Sequence, residues 1–143
     1  MSIKIEKFNT DNKTLFSEAA EIRTRVFIEE QHTDEEEEFD GLDSAAVHYL
    51  VYYNHVPAAT GRRRITEEGH KLERFAVLKE FRGKYLAVEL MNAMLEDILP
   101  AEKKIYLNAQ AYAEKFYEKF GFKRAGELFL EANIEHYKMV YQK

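Results

Sequence analysis

The 143-residue chain has no cysteine, which excludes disulfides, thiolate metal sites and any cysteine-linked covalent intermediate. None of its serines lies in a nucleophile-elbow pattern either. No apolar run approaches the roughly 20 residues that a membrane span needs. The opening Met1-Ser2-Ile3-Lys4-Ile5-Glu6 lacks the apolar middle of a signal peptide, so a cytoplasmic protein is expected. Positive charge is in deficit: 21 Lys and Arg face 26 Asp and Glu, for a net charge of −5. That balance argues against nucleic acid as the main partner, because neutralising phosphates takes a basic face. Internal repeats and linkers are absent, and one acidic stretch is the sole compositional bias. What remains is 45% hydrophobic and 33% charged, a globular composition. The length fits one domain over residues 1–143, able to bury about two thirds of the surface its unfolded chain exposes.

Residues 2–8 alternate Ile3 and Ile5 against Lys4 and Glu6, the pattern of a half-buried strand. After Asn9-Thr10-Asp11-Asn12, good N-cap material, Leu15, Ala19, Ile22, Val26 and Phe27 recur at helical spacing, predicting one amphipathic helix to about residue 30. The stretch from His32 to Asp43 carries seven acidic residues. It suits a solvated, self-repelling loop, an electronegative lip that draws in a cation, or, through alternate carboxylates, calcium; it does not match the EF-hand pattern. Residues 47–53 and 58–65 predict a hairpin across Asn54, His55 and Pro57. In Arg62-Arg63-Arg64 the outer two side chains share one strand face, either solvated or touching an anionic partner.

Residues 71–78 predict a strand near the middle of the sheet, followed by a helix over about 84–99. Leu86, Ala87, Leu90, Met91, Met94, Leu95 and Ile98 form its apolar stripe, with the methionines as core filler, and Pro100 stops it. A short strand at 103–108, a second helix over 110–120 ended by Gly121, and an antiparallel pair over 122–130 and 134–141 complete the chain. The order βα-βββ-α-β-α-ββ predicts a mixed α/β sheet covered on both faces.

Between the central strand and its helix lies Phe81-Arg82-Gly83-Lys84-Tyr85-Leu86-Ala87. A strand that turns tightly into a helix offers unpaired N–H groups and the positive end of the helix dipole. Gly83 permits close backbone approach and Arg82 and Lys84 add cations, so the guest is expected to carry phosphates.

Arg82-x-x-Tyr85-x-Ala87, after Leu72-Glu73-Arg74-Phe75-Ala76-Val77, resembles the pyrophosphate loop of the GNAT acyltransferases: Arg or Gln, x, x, Gly, x, Gly or Ala. Leu107-Asn108-Ala109-Gln110 and Phe116-Tyr117-Glu118-Lys119-Phe120-Gly121-Phe122 resemble the family's later strand, helix and FYxxxGF turn at similar spacing. The likeness covers most of the chain. Its one departure is Tyr85, where the family usually has Gly.

The resemblance implies a mostly antiparallel mixed sheet with a central splayed parallel pair and helices on both faces. It also implies acetyl transfer from acetyl-CoA, as co-substrate, to a primary amine within a ternary complex; the runner-up is a coenzyme A or nucleotide binding module without turnover. Implied coenzyme contacts are Phe75, Ala76, Val77, Arg82, Gly83, Lys84, Tyr85, Leu86, Ala87, Val88, Asn108, Ala113, Phe116 and Tyr117. Phe27, Glu30, Gln31 and His136 are expected in the acceptor pocket. The expected partners are acetyl-CoA, an amine and, as an open option, a second copy in a homodimer, with neither nucleic acid nor membrane. No metal is required.

An alkylamine with a pKa near 10.4 must lose a proton before it attacks, so a base is needed. Glu73 is the first candidate base; its alternative is an ordinary strand carboxylate paired with Lys71 or Arg74, and Glu29, Glu30 and His136 are rivals. An N–H at Ala76 or Val77 suits the oxyanion. Asn108 fits pantetheine contact and a helix N-cap equally well. Tyr117 is placed by the family near the departing sulfur, although inward spacing also suits a core aromatic.

Overall fold

The computed structural model describes residues 2–142. Apolar alternation builds β1 (Ile3–Phe8), and the Asn12 side chain then accepts the Leu15 N–H at 3.1 Å, capping α1 (Lys13–Arg23). The helix does not stop at Arg23. It continues as a π-helix over Thr24–Glu30, in which the Gln31 N–H donates to the Val26 carbonyl at 3.1 Å, five residues back. The expected single helix is thus corrected in its winding and kept in its buried face, since Ala19, Ile22, Val26 and Phe27 are all buried.

After α2 (Glu35–Glu38) come the hairpin strands β2 (Val47–Tyr53) and β3 (Val56–Ile65). Asn54 and His55 join them at φ 49° and 70°, the doubly left-handed geometry of a tight two-residue connection. The chain then runs through β4 (His70–Val77), α3 (Leu86–Ile98), β5 (Ile105–Gln110), α4 (Glu114–Glu118), β6 (Phe122–Arg124), β7 (Phe129–Glu131) and β8 (Ile134–Tyr141). Among the described residues no helix is long and apolar enough to cross a membrane.

The strands lie in the order β1-β2-β3-β4-β5-β8-β6, with β7 also on β8. Every pairing is antiparallel except β4 with β5, which α3 connects as a crossover. On one face α1 and the π-helix that continues it pack Ala19, Ile22, Val26 and Phe27 against Phe8, Leu50, Ala76 and Leu78. On the other, Leu86, Leu90, Met91, Met94, Leu95 and Ile98 of α3 meet Tyr49, Val51, Leu72, Ile105, Leu107 and Met139, with Tyr117 and Phe120 alongside. This is the mixed sheet, covered on both faces, that the sequence predicts.

The feature that makes the site is the short reach of the parallel pairing. His70, Lys71 and Leu72 face Ile105, Tyr106 and Leu107; beyond them β4 runs on to Val77 and β5 to Gln110 without pairing each other. Two expectations near this region change. The strand before the last helix extends through Gln110, which leaves a turn at residues 111–113 and only five residues for α4. The closing strand over 122–130 divides into β6 and β7 because Gly126, at φ 133°, breaks the extended backbone; both halves still pair with β8.

The acidic stretch and the arginine run are corrected together. Arg23 and Arg62, each 1% exposed, hold the stretch onto the sheet. Arg23 reaches Glu38 Oε2 and Asp43 Oδ1, both at 2.7 Å. Arg62 reaches Asp43 at 2.8 Å, Asp40 at 3.0 Å and Glu73 at 2.8 Å. Arg74 adds contacts to Glu38 and Asp40 at 3.1 Å. A solvated strand face therefore does not describe Arg62, and three of the seven acidic residues, Glu38, Asp40 and Asp43, are internal salt. Burial alone would lift the Asp40 and Asp43 carboxyls, but hydrogen bonds and charge from Arg62 and Arg23 outweigh it and hold both below the usual range. At Glu38 burial wins and its pKa is raised.

Removing one partner of such a cluster strands the others without water. Arg62→Met is expected to cost about 3–5 kcal/mol in urea unfolding. Arg64→Met, at a partly exposed side chain that meets Glu73 alone, should cost far less. Equal losses would show that the cluster does not hold the acidic stretch in place.

Candidate active site

A cleft of about 710 Å³ opens where β4 and β5 part. Its walls come from β4, β5, the π-helix, the acidic stretch and the β7–β8 hairpin, and it includes Phe27, Glu30, Gln31, Phe75, Ala76, Val77, Asn108, Ala113, Phe116, Tyr117 and His136. The π-helix puts Val26, Phe27, Glu30 and Gln31 on one wall, at the wider spacing that its winding imposes.

From the phosphate-loop candidates, Arg82 and Ala87 line this cleft. Lys84 instead places its ammonium over the Tyr53 ring at 5.3 Å, and the Leu86 side chain belongs to the core. Leu86, Ala87 and Val88 can still contribute through their N–H groups, because α3 has no side-chain cap at its start. Gly83 at φ 81° makes the turn, and Tyr85 precedes the helix at φ 62° with its ring 76% exposed. The tyrosine thus adopts the left-handed backbone that a glycine would adopt freely, and its side chain is exposed and does not line the cleft.

Arg82 is already engaged. Its Nη1 and Nη2 donate to the two Glu30 oxygens at 2.6 and 2.7 Å, and its Nε donates to the Val77 carbonyl at 3.0 Å. That fork lowers the Glu30 pKa, mainly by hydrogen bonding. Glu30, expected in the acceptor pocket, lines the cleft and is the counter-charge of Arg82.

Glu73 also lines the cleft, and it accepts from Arg62 and Arg64, with the Lys71 ammonium 3.5 Å away. Burial pushes its pKa up, but hydrogen bonding from Arg64 and the charges of Arg62, Lys71 and Arg64 bring it below the ordinary value. Strict strand alternation would send Arg74 to the opposite side. Arg74 sits at φ 62°, breaks the alternation, and joins the same ion cluster.

Asn108 lies within β5, register partner of Lys138, so the N-cap alternative falls away; its Nδ2 meets Glu131 Oε1 at 3.4 Å. Tyr117 stands among Phe75, Phe116 and Phe122, with ring centroids 6.0, 5.2 and 6.2 Å away. Burial raises its phenol pKa. His136 is buried, stacks on Phe129, and directs Nδ1 to the Ile134 carbonyl at 2.7 Å.

Gln110, Tyr112 and Glu131 are polar cleft residues that the sequence did not single out for the site. Gln110 was findable, since it follows Asn108 by two on one strand face, and its amide pairs with that of Gln31 at 3.0 Å across the cleft. Glu131 was harder to find: the turn between residues 130 and 134 was expected, but nothing local showed that its first residue reaches the cleft.

Tyr85→Gly tests the loop geometry directly. Relief of the left-handed strain, about 1 kcal/mol, opposes the greater freedom of glycine in the unfolded chain, so the thermal midpoint should stay level or rise. A clear fall would mean that the tyrosine ring holds the turn.

The model of the acetyltransferase (GNAT) domain matches residues 11–143. The uncharacterized protein YyaT of Bacillus subtilis is 41% identical over 129 residues, covering 85% of each chain. The uncharacterized N-acetyltransferase YjcF of the same organism is 34% identical, covering 90% of this chain and 94% of its own. Among solved structures, an acyl-CoA N-acyltransferase from Pseudomonas aeruginosa superposes with a TM-score of 0.88 at 26% identity, over 99% of this chain and 100% of that one. With its parted parallel strands, open helix start and matching family model, the chain belongs to the GNAT acetyltransferase family and is an enzyme of that family.

Proposed function

We propose that the enzyme transfers an acetyl group from acetyl-CoA to a primary amine, directly, in a ternary complex. The observation that carries this reading is the uncapped start of α3 beside Arg82, at the mouth of a cleft floored by unpaired strand edges. A helix start of this kind suits a pyrophosphate, and the parted edges of β4 and β5 leave main-chain groups for an extended amide arm such as pantetheine. In the bound state Arg82 exchanges Glu30 for phosphate.

The acceptor's charge follows from what remains unpaired. Arg82 with Glu30, Arg74 with Glu38 and Asp40, and Arg64 and Lys71 with Glu73 neutralise one another. Glu37 lines the cleft without an ion pair among the described residues, and Glu131 has no Lys or Arg partner among them. The residual charge is negative, which favours a cation such as a protonated amine. An N–H at Ala76 or Val77 remains our choice of oxyanion donor, and Asn108 and Phe75 flank the arm. Direct transfer agrees with the absence of a cysteine nucleophile. Glu73, held by three cations, we assign to anchoring the site and not to taking a proton.

The reading is tested by following thiol release from acetyl-CoA over a panel of amines, beside calorimetric binding of coenzyme A. Arg82→Glu should weaken coenzyme A by about 1.5–3 kcal/mol. Glu30→Gln, which removes the competing carboxylate, should strengthen it. If both leave affinity unchanged, the phosphate site lies elsewhere; binding without turnover on any amine would return the protein to a coenzyme-binding module.

Tyr117 we place at the departing sulfur. A phenol raised above its ordinary pKa is a poor acid toward a thiolate of pKa near 8.5, so its contribution is a hydrogen bond to the sulfur and not full proton donation. Tyr117→Phe should lower kcat by roughly ten- to a thousandfold while coenzyme affinity and melting temperature hold. Lost stability with kcat intact would make Tyr117 a core aromatic.

A further inference from the structure

The cleft holds one side chain whose protonation geometry is fixed before any substrate arrives. His136 Nδ1 lies 2.7 Å from the Ile134 carbonyl oxygen, and a carbonyl can only accept. The proton of the neutral ring therefore sits on Nδ1, which leaves Nε2 with its lone pair. Glu131 Oε2 lies 3.7 Å from that nitrogen, and Phe129 stacks on the ring with centroids 5.8 Å apart. The ring is buried yet belongs to the cleft wall. From β5 its register partner is Gln110, uncharged and bonded to Gln31 of the helix wall, so Glu131 of β7 is the charged neighbour among the described residues.

We propose that His136 is the general base of the transfer, with the Ile134 carbonyl setting its tautomer and Glu131 stabilising the imidazolium. The proposal rests on the acetyl-transfer reading above. Two carboxylates expected as rival bases are less suited: Glu73 is held by Arg62, Arg64 and Lys71, and Glu30 by the Arg82 fork, each stabilising the proton-free form.

The step balances as follows. The ammonium releases one proton to solvent, and the nitrogen lone pair forms the N–C bond to the thioester carbon. The nitrogen, now positively charged and strongly acidic, passes a proton to Nε2. The C–S bond then breaks, sulfur leaves with the electron pair, and it takes up the proton held by the imidazolium, either directly or through solvent. Glu131 lowers the cost of the charged intermediate, and Asn108 Nδ2, 3.4 Å from its other oxygen, steadies the carboxylate.

The test uses a weakly basic acceptor, such as a hydrazide, so that ionisation of the acceptor does not mask that of the enzyme. Wild-type kcat/KM should fall on the acid side along a single ionisation, as a base that must be proton-free requires. His136→Gln should lose that limb and about two orders of magnitude or more in rate, with the affinity for coenzyme A unchanged. Glu131→Gln, at a partly exposed side chain, should keep the limb and move it to lower pH. A retained limb in His136→Gln, or a loss accompanied by an equal fall in coenzyme affinity and melting temperature, would overturn the assignment. Should His136→Gln fail to fold, an unmoved limb in Glu131→Gln overturns it alone. Wild-type enzyme that binds coenzyme A but acetylates no amine would instead sink the parent reading, and the base with it.

Discussion

The site depends on two parallel strands that stay together for three residue pairs and then part. Elsewhere in the sheet a main-chain N–H or C=O finds its partner on the next strand, and a buried unpaired group is costly. Separation of β4 from β5 therefore needs enforcement from outside the pair. On one side Tyr117, Phe75 and Phe116 fill the space with aromatic rings, held together by edge contacts. On the other, Arg74 turns left-handed within β4, so that its side chain and that of Glu73 both run into the ion cluster.

That cluster is more than a fastening. Arg23 belongs to α1, Arg62 to β3 and Arg74 to β4, while Glu38, Asp40 and Asp43 come from the segment between α1 and β2 and Glu73 from β4. One buried salt lattice thus joins a helix, two strands and a loop at the cleft wall. Buried ion pairs contribute little net stability compared with apolar packing, because desolvation offsets attraction. Their directional demand is what matters here. A guanidinium fork with three carboxylates accepts few arrangements, whereas an apolar patch would let the acidic stretch slide.

The elements dictated by local pattern were legible in the sequence. β2 occupies residues 47–53 as its β-branched and aromatic run predicts, and the α3 stripe is the core face, with Met91 and Met94 fully buried. The turn from β4 into α3 was legible because a strand, a glycine turn and a helix start are adjacent in the chain. The ion cluster was not, because Arg23 meets Glu38 and Arg62 meets Asp43 across 15 and 19 residues, and no periodicity connects them. Composition could say only that the segment was acidic; which acids were solvated required the sheet. The π winding of residues 24–30 escaped for a related reason: α and π helices bury nearly the same residues there, and the difference shows where Glu30 and Gln31 emerge.

The charges also sort by wall, and this sorting bears on how the two substrates proposed above, of opposite sign, would share one cleft. Arg82 and the open start of α3 stand on the β4–α3 side, while Glu37 and Glu131 stand on the acidic segment and the β7 hairpin. Glu30 interrupts the pattern by bridging to Arg82. Drawing Arg82 onto a phosphate frees the Glu30 carboxylate on the π-helix wall, where it adds to the negative field over the other half of the cleft. On the proposed reading, binding of an anion at one wall makes the opposite wall more attractive to a cation, a coupling that comes from a single shared arginine and requires no change of fold.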